Sequence, residues 1–326
     1  MVVETTDTEI DVSILIVNWN TRDVLRGCLK SIYEQTLGVT FEIIVVDNAS
    51  KDGSAKMVKL EFPSVTLIEN SENRGFAAAS NQWIAIAKGR YVLLLNSDTI
   101  IMENAITKTV SFAEDNPDAG VVGCRVLNSD GTLQLTCLMF PSLLNMVLST
   151  FWLHRFFPKS NFFGRAELTW WDKNNVREVD IVGGCFMLVR LDAMNQVGLM
   201  DEQFFMYSED VDWCYRFHKA GWKVIYTPSA EIIHLGGESS KQAATKMVLL
   251  QRGSRLLFFK KHRGYLVYAL ACLLIVLFFL LRIPYWFIRA LFSNGENRNK
   301  YLMMGCVYTK GALCALTGSR GLYRVR

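Results

Sequence analysis

An α/β fold built on a mostly parallel sheet follows from three observations. Short, predominantly apolar runs recur at Val12–Val17, Phe41–Val46 and Tyr91–Leu95, the pattern of strands covered on both faces. Stretches with helical spacing lie between them, so strands and helices alternate. Each of the three runs is followed by Asn or Asp, which lines one edge of the sheet with polar groups.

The elements follow in order. Val12–Val17 is the first strand. Arg22–Gln35 then places Val24, Leu25, Cys28, Leu29 and Ile32 on one helical face. Phe41–Val46 is the second strand, Ser50–Gly53 is turn chemistry, and a short helix follows it. Val65–Ile68 is a third strand, 75–88 a helix, Tyr91–Leu95 the fourth strand, and Glu103–Glu114 a helix that stops before Asn116-Pro117. Beyond residue 118 the rhythm loosens. Strands are expected at Val121–Leu127, Thr132–Leu138, Ile181–Val189 and Val224–Tyr226, with a helix at Glu209–Ala220.

The chain has 326 residues, is 51% hydrophobic and carries a net charge of +4. The charge is unevenly spread. Residues 260–326 hold 11 Lys/Arg and one acid, Glu296, whereas acids outnumber bases in the rest. A basic, apolar tail on an acidic body points to a membrane or polyanion near the tail; no nucleic-acid partner is expected. The eight cysteines form no C-x-x-C pair, which favours reduced, buried thiols over zinc or disulfides. The N-terminus, MVVETTDTEIDV, has no apolar run, so no secretory signal is expected.

In open α/β sheets ligands sit beyond the carboxyl ends of the strands. Asn18 and Asn20, Asp47 and Asn48, and Asn96 to Asp98 follow successive strands, and their convergence marks a candidate crevice. Asp98 has two readings there. It is a turn or helix-capping residue, or a hard oxygen ligand for Mg²⁺ or Mn²⁺ acting with substrate phosphates. The cluster Glu209, Asp210 and Asp212 also reads two ways, as the acidic start of a helix or as a source of a general base.

The runs VSILIVNWNTRDVLRGCLKSI, VVDNASKDGS, NRGFAAASN and LLLNSDT, then GGCFMLVR, FFMYSEDVDWCYRFHKAGWKVIYTP and IIHLGGES, resemble a family 2 glycosyltransferase of the bacterial rhamnosyltransferase-like branch, over roughly residues 10–260. Each motif alone is weak; their order and spacing together are specific. The resemblance implies a GT-A fold and sugar transfer from a nucleoside diphosphate sugar. It implies that Asp47 accepts from the N3–H of uracil or thymine, and that Asn18, Asn48, Arg74 and Ser97 lie on the nucleotide side. The family's metal-binding acidic triplet appears as Asn96-Ser97-Asp98, with its first acid missing. Asp98 and His234 are the implied ligands of Mg²⁺ or Mn²⁺; the alternative for His234 is a core histidine at a strand end. In SED at 208–210, Asp210 is the implied base, with Glu209 holding the acceptor and Glu209 or Asp212 as alternatives.

Two domains are expected: a catalytic domain over 1–259 and a membrane-associating helical tail over 260–326. Leu266–Leu281 is 16 residues without a charge, against ~20 for an ordinary span. A single span would carry the basic C-terminus across, against the positive-inside bias. A re-entrant helical pair or a helix in the interface keeps both ends in the cytoplasm. A buried helix of a soluble domain is the poorer alternative.

The expected activity is inverting, metal-dependent transfer of a sugar, with L-rhamnose from dTDP-rhamnose as the leading case. The acceptor is lipid-linked or polysaccharide, and the site faces the cytoplasm at the cell membrane. A UDP-sugar donor, or an inactive membrane-bound sugar-binding relative, is the alternative. A nucleotidyltransferase or dinucleotide oxidoreductase needs a Gly-rich turn after the first strand, and VNWNTRD has no glycine.

Overall fold

The structure, a computed structural model, describes residues 10–83, 86–237 and 244–323. Most of the acidic N-terminal stretch, Glu238 and Ser239 of the last motif, and Arg324 and Arg326 of the basic tail lie outside the described residues.

The chain divides into two compact units. The first comprises Met1–Leu138, Asp172–Phe205 and Asp210–Ser239, the second Met139–Trp171, Met206–Glu209 and Ser240–Arg326. Residues 139–171 and 206–209, within the stretch expected to be catalytic domain, thus group with the C-terminal residues.

The first unit is a mixed sheet of nine strands. Strands β1 (Val12–Asn18), β2 (Phe41–Asp47), β3 (Thr66–Glu69) and β4 (Tyr91–Asn96) run parallel. Beyond them come β5 (Thr99–Ile101), β6 (Ala119–Leu127), β8 (Arg177–Glu178), β10 (Phe186–Arg190) and β11 (Lys223–His234). The order is β3-β2-β1-β4-β10-β6-β11-β5, with β8 also on β11. Strands β7 (Cys137–Leu138) and β9 (Ile181–Val182) pair separately. Helix α1 (Arg22–Gln35) buries Leu25, Cys28, Leu29 and Ile32 against Ile14, Ile16, Ile43, Val45, Leu93 and Leu95, as its spacing predicts. Helices α2 (Ser54–Glu61), α3 (Phe76–Asn81) and α4 (Ala105–Asp115) connect the early strands. Later come α7 (Leu191–Val197) and α8 (Glu209–Lys219).

Three expected elements differ in extent. Helix α3 ends at Asn81, well short of Lys88. The run 181–189 splits into β9 and β10 at Gly183-Gly184. Strand β11 continues past Tyr226 to His234, through a register shift between Thr227 and Glu231. Pro228 has no N–H for a ladder and marks that bulge.

The second unit is helical: α5 (Leu143–Thr150), α6 (Leu153–Phe156), α9 (Ala244–His262), α10 (Tyr265–Leu291), α11 (Gly295–Leu316) and α12 (Ser319–Tyr323). Its core joins Met146 to Leu249, Leu256, Phe259, Ala271, Ile275, Phe279 and Tyr308. Helix α10 spans 27 residues and contains Pro284. Among the described residues it alone is long and apolar enough to cross a membrane. All eight cysteines are free, five of them buried.

Candidate active site

The polar ends of β1, β2 and β4 meet, as their parallel register requires: Asn18 stands opposite Asp47, and Val17 opposite Asn96. Asp47 is buried, and its carboxylate accepts from Asn18 Nδ2 (3.0 Å) and from the Ser50 N–H (2.9 Å). Asn18 Oδ1 accepts from Thr21 Oγ1 at 2.6 Å, and that hydroxyl lies 3.0 Å from Ser97 Oγ. A buried polar chain therefore joins three strand ends, from Asp47 through Asn18 and Thr21 to Ser97.

Asn48 organises the neighbouring loop. Its Oδ1 accepts from Asn70 Nδ2 and the Arg74 N–H, while its Nδ2 donates to Asn73 Oδ1 and the Gly75 carbonyl. The amide is buried with its hydrogen bonds made to protein. Arg74 itself is exposed. Gly75, at φ +81°, lets the Phe205 carbonyl approach so closely that a Cβ would come within 2.3 Å of it. The Phe76 N–H donates to that carbonyl at 2.7 Å.

Asp98 and His234 are brought together by the antiparallel pairing of β5 with β11, which sets His234 opposite Thr99. Asp98 Oδ1 lies 3.1 Å from His234 Nε2. The tautomer follows from Gln134. Its amide nitrogen donates to Asn128 Oδ1 (2.8 Å), so its oxygen faces His234 Nδ1 at 2.6 Å and takes the Nδ1 proton. His234 Nε2 lies 3.2 Å from Asn96 Nδ2 and is the ring nitrogen turned toward the Asp98 carboxylate. Asn96, standing where the acidic triplet lacks its first acid, thus bonds the histidine.

These residues fit a Mg²⁺ or Mn²⁺ ion. Adjacent octahedral positions around a Mg²⁺-sized ion, with ligands at ~2.1 Å, lie about 3.0 Å apart, close to the observed spacing. A ligating histidine ordinarily donates its other N–H to an oxygen, as His234 does to Gln134. No cluster of three or more His, Cys, Asp or Glu side chains suits an ion among the described residues. The protein would supply two donors, and phosphate oxygens the rest.

Asp210 opens α8. Its Oδ2 accepts from the Gly184 N–H (3.2 Å) and its Oδ1 from the Val211 N–H (2.8 Å). The Cys185 carbonyl next along accepts from the Asn96 N–H at 3.1 Å. Asp98 and Asp210 both push the Cys185 thiol up, in addition to the larger effect of its burial, so both carboxylates lie near this residue. Burial also pushes the Asp210 carboxyl above its ordinary value, opposed by the backbone donors of Val211 and Gly184. Asp212 is fully buried and paired with Arg216 at 2.9 Å, which in turn donates to the carbonyls of Val197 and Leu199. Asp212 therefore braces α8. Glu209 is buried at the first position of the helix, and Tyr207 and Ser208 before it both adopt positive φ. Trp213 is a core residue whose Nε1 donates to the Gly198 carbonyl.

Residues 13–170 match the family model described as Glycosyl transferase family 2. The chain carries a family 2 glycosyltransferase domain. A relative from Mycobacterium tuberculosis, an N-acetylglucosaminyl-diphospho-decaprenol L-rhamnosyltransferase, is 28% identical over 239 residues, covering 68% of this glycosyltransferase and 76% of the relative. Among solved structures, a mannosyltransferase from Pyrobaculum calidifontis in complex with GDP-Man and Mn²⁺ superposes with TM-score 0.57 at 14% identity, over 94% of this chain and 86% of that one. GalNAc-T7 with UDP, GalNAc and Mn²⁺ superposes with TM-score 0.52 at 15% identity, over 69% of this chain and 43% of that one. Both likenesses bear on the fold, which is GT-A.

Of the residues singled out in the sequence of this glycosyltransferase, the structure brings together Asn18, Asp47 and Ser97 in one polar chain, and Asp98 and His234 in one pair. Asp210 accepts from the Gly184 N–H, one residue before the Cys185 carbonyl that links to β4. Gln134, Thr21 and Ser50 complete these arrangements; Thr21 and Ser50 lie inside the runs quoted above, and Gln134 lies outside them.

Proposed function

We propose that this glycosyltransferase moves a sugar, with inversion at the anomeric carbon, from a nucleoside diphosphate donor to a lipid-linked or polysaccharide acceptor at the cytoplasmic face of a membrane. L-Rhamnose from dTDP-rhamnose is the leading donor. The carrying observation is the Asp98–His234 pair at the end of β4, with Asp210 docked on Gly184 beside it. The name of the mycobacterial relative supports the sugar and the acceptor class.

In this reading Asp47 accepts the N3–H of the base with the lone pairs that Asn18 and Ser50 leave open. Asn18 and Asn48 are too buried to line the nucleotide directly and instead position Asp47 and the loop carrying Arg74, which reaches the phosphates. Ser97 ties the strand end carrying Asp98 to that chain. Asp98 and His234 would hold Mg²⁺ or Mn²⁺, which supplies positive charge to the departing diphosphate when bound. Asp210 takes the acceptor hydroxyl proton as that oxygen bonds to the anomeric carbon and the bond to the nucleoside diphosphate breaks. Its raised pKa makes it a stronger base than an exposed aspartate. Glu209 holds the acceptor. Helix α10, with Tyr265, Leu266, Leu273 and Leu291 exposed, associates with lipid.

The test is a donor screen reading nucleoside diphosphate release with and without Mn²⁺. An N3–H is common to thymine and uracil, so the screen includes dTDP-rhamnose and UDP-sugars. Manganese-dependent release from dTDP-rhamnose is expected. Release from UDP-sugars alone would reassign the donor. Nucleotide binding without release from any donor would make the protein a binding scaffold.

A further inference from the structure

The second unit contains a cavity of about 840 Å³ that transfer chemistry in the first unit does not use. Four arginines line it, Arg155, Arg252, Arg255 and Arg282, against one acid, Glu167. None of the four forms an ion pair among the described residues. Arg282 is committed to structure: it donates to the carbonyls of Ser149 and Thr150 at the end of α5, and to Phe278. Its guanidinium lies 3.7 Å from the Phe278 ring centroid, and that of Arg252 lies 4.2 Å from the same centroid. Two cations thus share one aromatic ring, which offsets part of their charge without neutralising it.

The polar atoms around this cavity are incompletely satisfied. Arg252 Nε, Trp286 Nε1 and His154 Nδ1 are buried without hydrogen-bond partners, and all three residues line it. Arg252 Nε and Trp286 Nε1 are donors, and buried donors in a native structure call for an acceptor. Burial first, and then Arg255 and Arg282, hold the Arg252 guanidinium below its ordinary value. Arginine stays charged in proteins, so the crowding is a standing cost that an anion in the cavity would relieve.

We infer that this cavity binds the diphosphate of the lipid-linked acceptor, with Arg252 and Arg255 as its principal donors. This rests on the acceptor class proposed above. Arginine's planar fork matches phosphate oxygens and gives bidentate contacts. The lipid source, rather than a free anion, is favoured by α10. The helix that contributes Phe278 and Trp286 to the cavity also exposes Leu266, Leu270, Leu273, Leu280 and Leu281, an apolar surface for a hydrocarbon chain.

The test uses the full chain in detergent with excess nucleoside diphosphate, which fills the donor site. Farnesyl diphosphate, farnesol and inorganic diphosphate are titrated by calorimetry. Farnesyl diphosphate should bind, the other two at least ~10-fold more weakly, and Arg252→Gln and Arg255→Gln should each weaken it by ~10-fold or more. Arg252→Lys should restore only part, since it keeps the charge and loses the fork. Nucleotide binding should be unchanged in every variant, which separates lost contacts from lost folding. If Arg252→Gln does not fold, Arg255→Gln decides. A flat farnesyl diphosphate titration, wild-type affinity in the folded variants, or equal affinity for inorganic diphosphate would each overturn the inference. Failure of the nucleotide itself to bind would instead count against the proposed function.

Discussion

Asp98 Oδ1 stands 3.1 Å from His234 Nε2, joined across a strand pairing between residues well over a hundred positions apart. Neither residue alone marks an ion site. Together, with the ring turned by Gln134, they bring a carboxylate oxygen and the imidazole Nε2 to one point. Asp98→Ala is expected to abolish the Mn²⁺ dependence of donor binding, measured by calorimetry with and without the ion. His234→Ala should weaken it less, because Asp98 and the phosphate oxygens remain. Unchanged dependence in Asp98→Ala would move the ion elsewhere.

Gln134 acts through His234. Outer partners of metal-binding histidines typically contribute ~10- to 100-fold in metal affinity. Gln134→Leu, which removes the acceptor that fixes the Nδ1 proton, should weaken Mn²⁺ binding by about that range while metal-free nucleotide binding persists. Gln134→Glu should restore the acceptor and most of the affinity. Equal Mn²⁺ affinity in Gln134→Leu and wild type would remove Gln134 from the site.

Asp210 makes a pH prediction whose sign is fixed by its burial. An unperturbed aspartate ionises near pH 3.9, and Asp210 is shifted upward. The basic carboxylate therefore forms only as pH rises through the raised value, and kcat/KM should fall on the acid side at a pH above ~4. Stability runs the other way. The unfolded chain releases this proton first, so Asp210's contribution falls as pH rises from ~3.9 through the folded value. Asp210→Asn should cut turnover by ~10²-fold or more with donor binding kept. Near-normal turnover would transfer the role to Glu209, since Asp212 is held by Arg216.

The sequence made the first unit's framework legible where local rules dominate. Arg22–Gln35 matches its helix to the residue because one apolar stripe faces a sheet, and β1, β2 and β4 stand where short, mostly apolar runs require burial. The partners of the site were not legible. Gln134 lies in a run expected to be strand, of which only Cys137–Leu138 pairs as a strand, and it meets His234 through β6, where its N–H donates to the Val126 carbonyl and β6 pairs with β11. The second unit was read only from its apolar tail, because Met139–Trp171 joins it through packing that no local periodicity records.

Asn48 tests the loop. Its side chain ties Asn70, Asn73, Arg74 and Gly75 together. Replacement by alanine leaves buried polar groups unpaired, at ~1–3 kcal/mol. Asn48→Ala should lower the thermal midpoint and raise the donor KM more than it lowers kcat, because Arg74 is misplaced while Asp210 is untouched. A donor KM equal to that of wild type would separate this loop from the nucleotide.

The boundary of the tail has a direct consequence. A chain ending at residue 259 would cut α9 before its end at His262 and remove α10 to α12. Met146, Leu249, Leu256 and Phe259 would then lose Ala271, Ile275, Phe279 and Tyr308, their partners in the second core. Each large apolar side chain returned to water costs roughly 1.5–3 kcal/mol, so four of them together rival the stability of a whole domain. The shortened chain is expected to aggregate or to bind detergent through the uncovered faces of α5 and α9, although the first-unit sheet keeps its own core. The full chain should sediment with membranes and resist release by high salt, because Leu266, Leu273 and Leu291 on α10 offer lipid an apolar face that salt does not screen. A soluble, monodisperse 1–259 chain would show that α5 and α9 need no cover. A full chain freed by salt alone would show that basic residues, and not α10, hold it to the membrane.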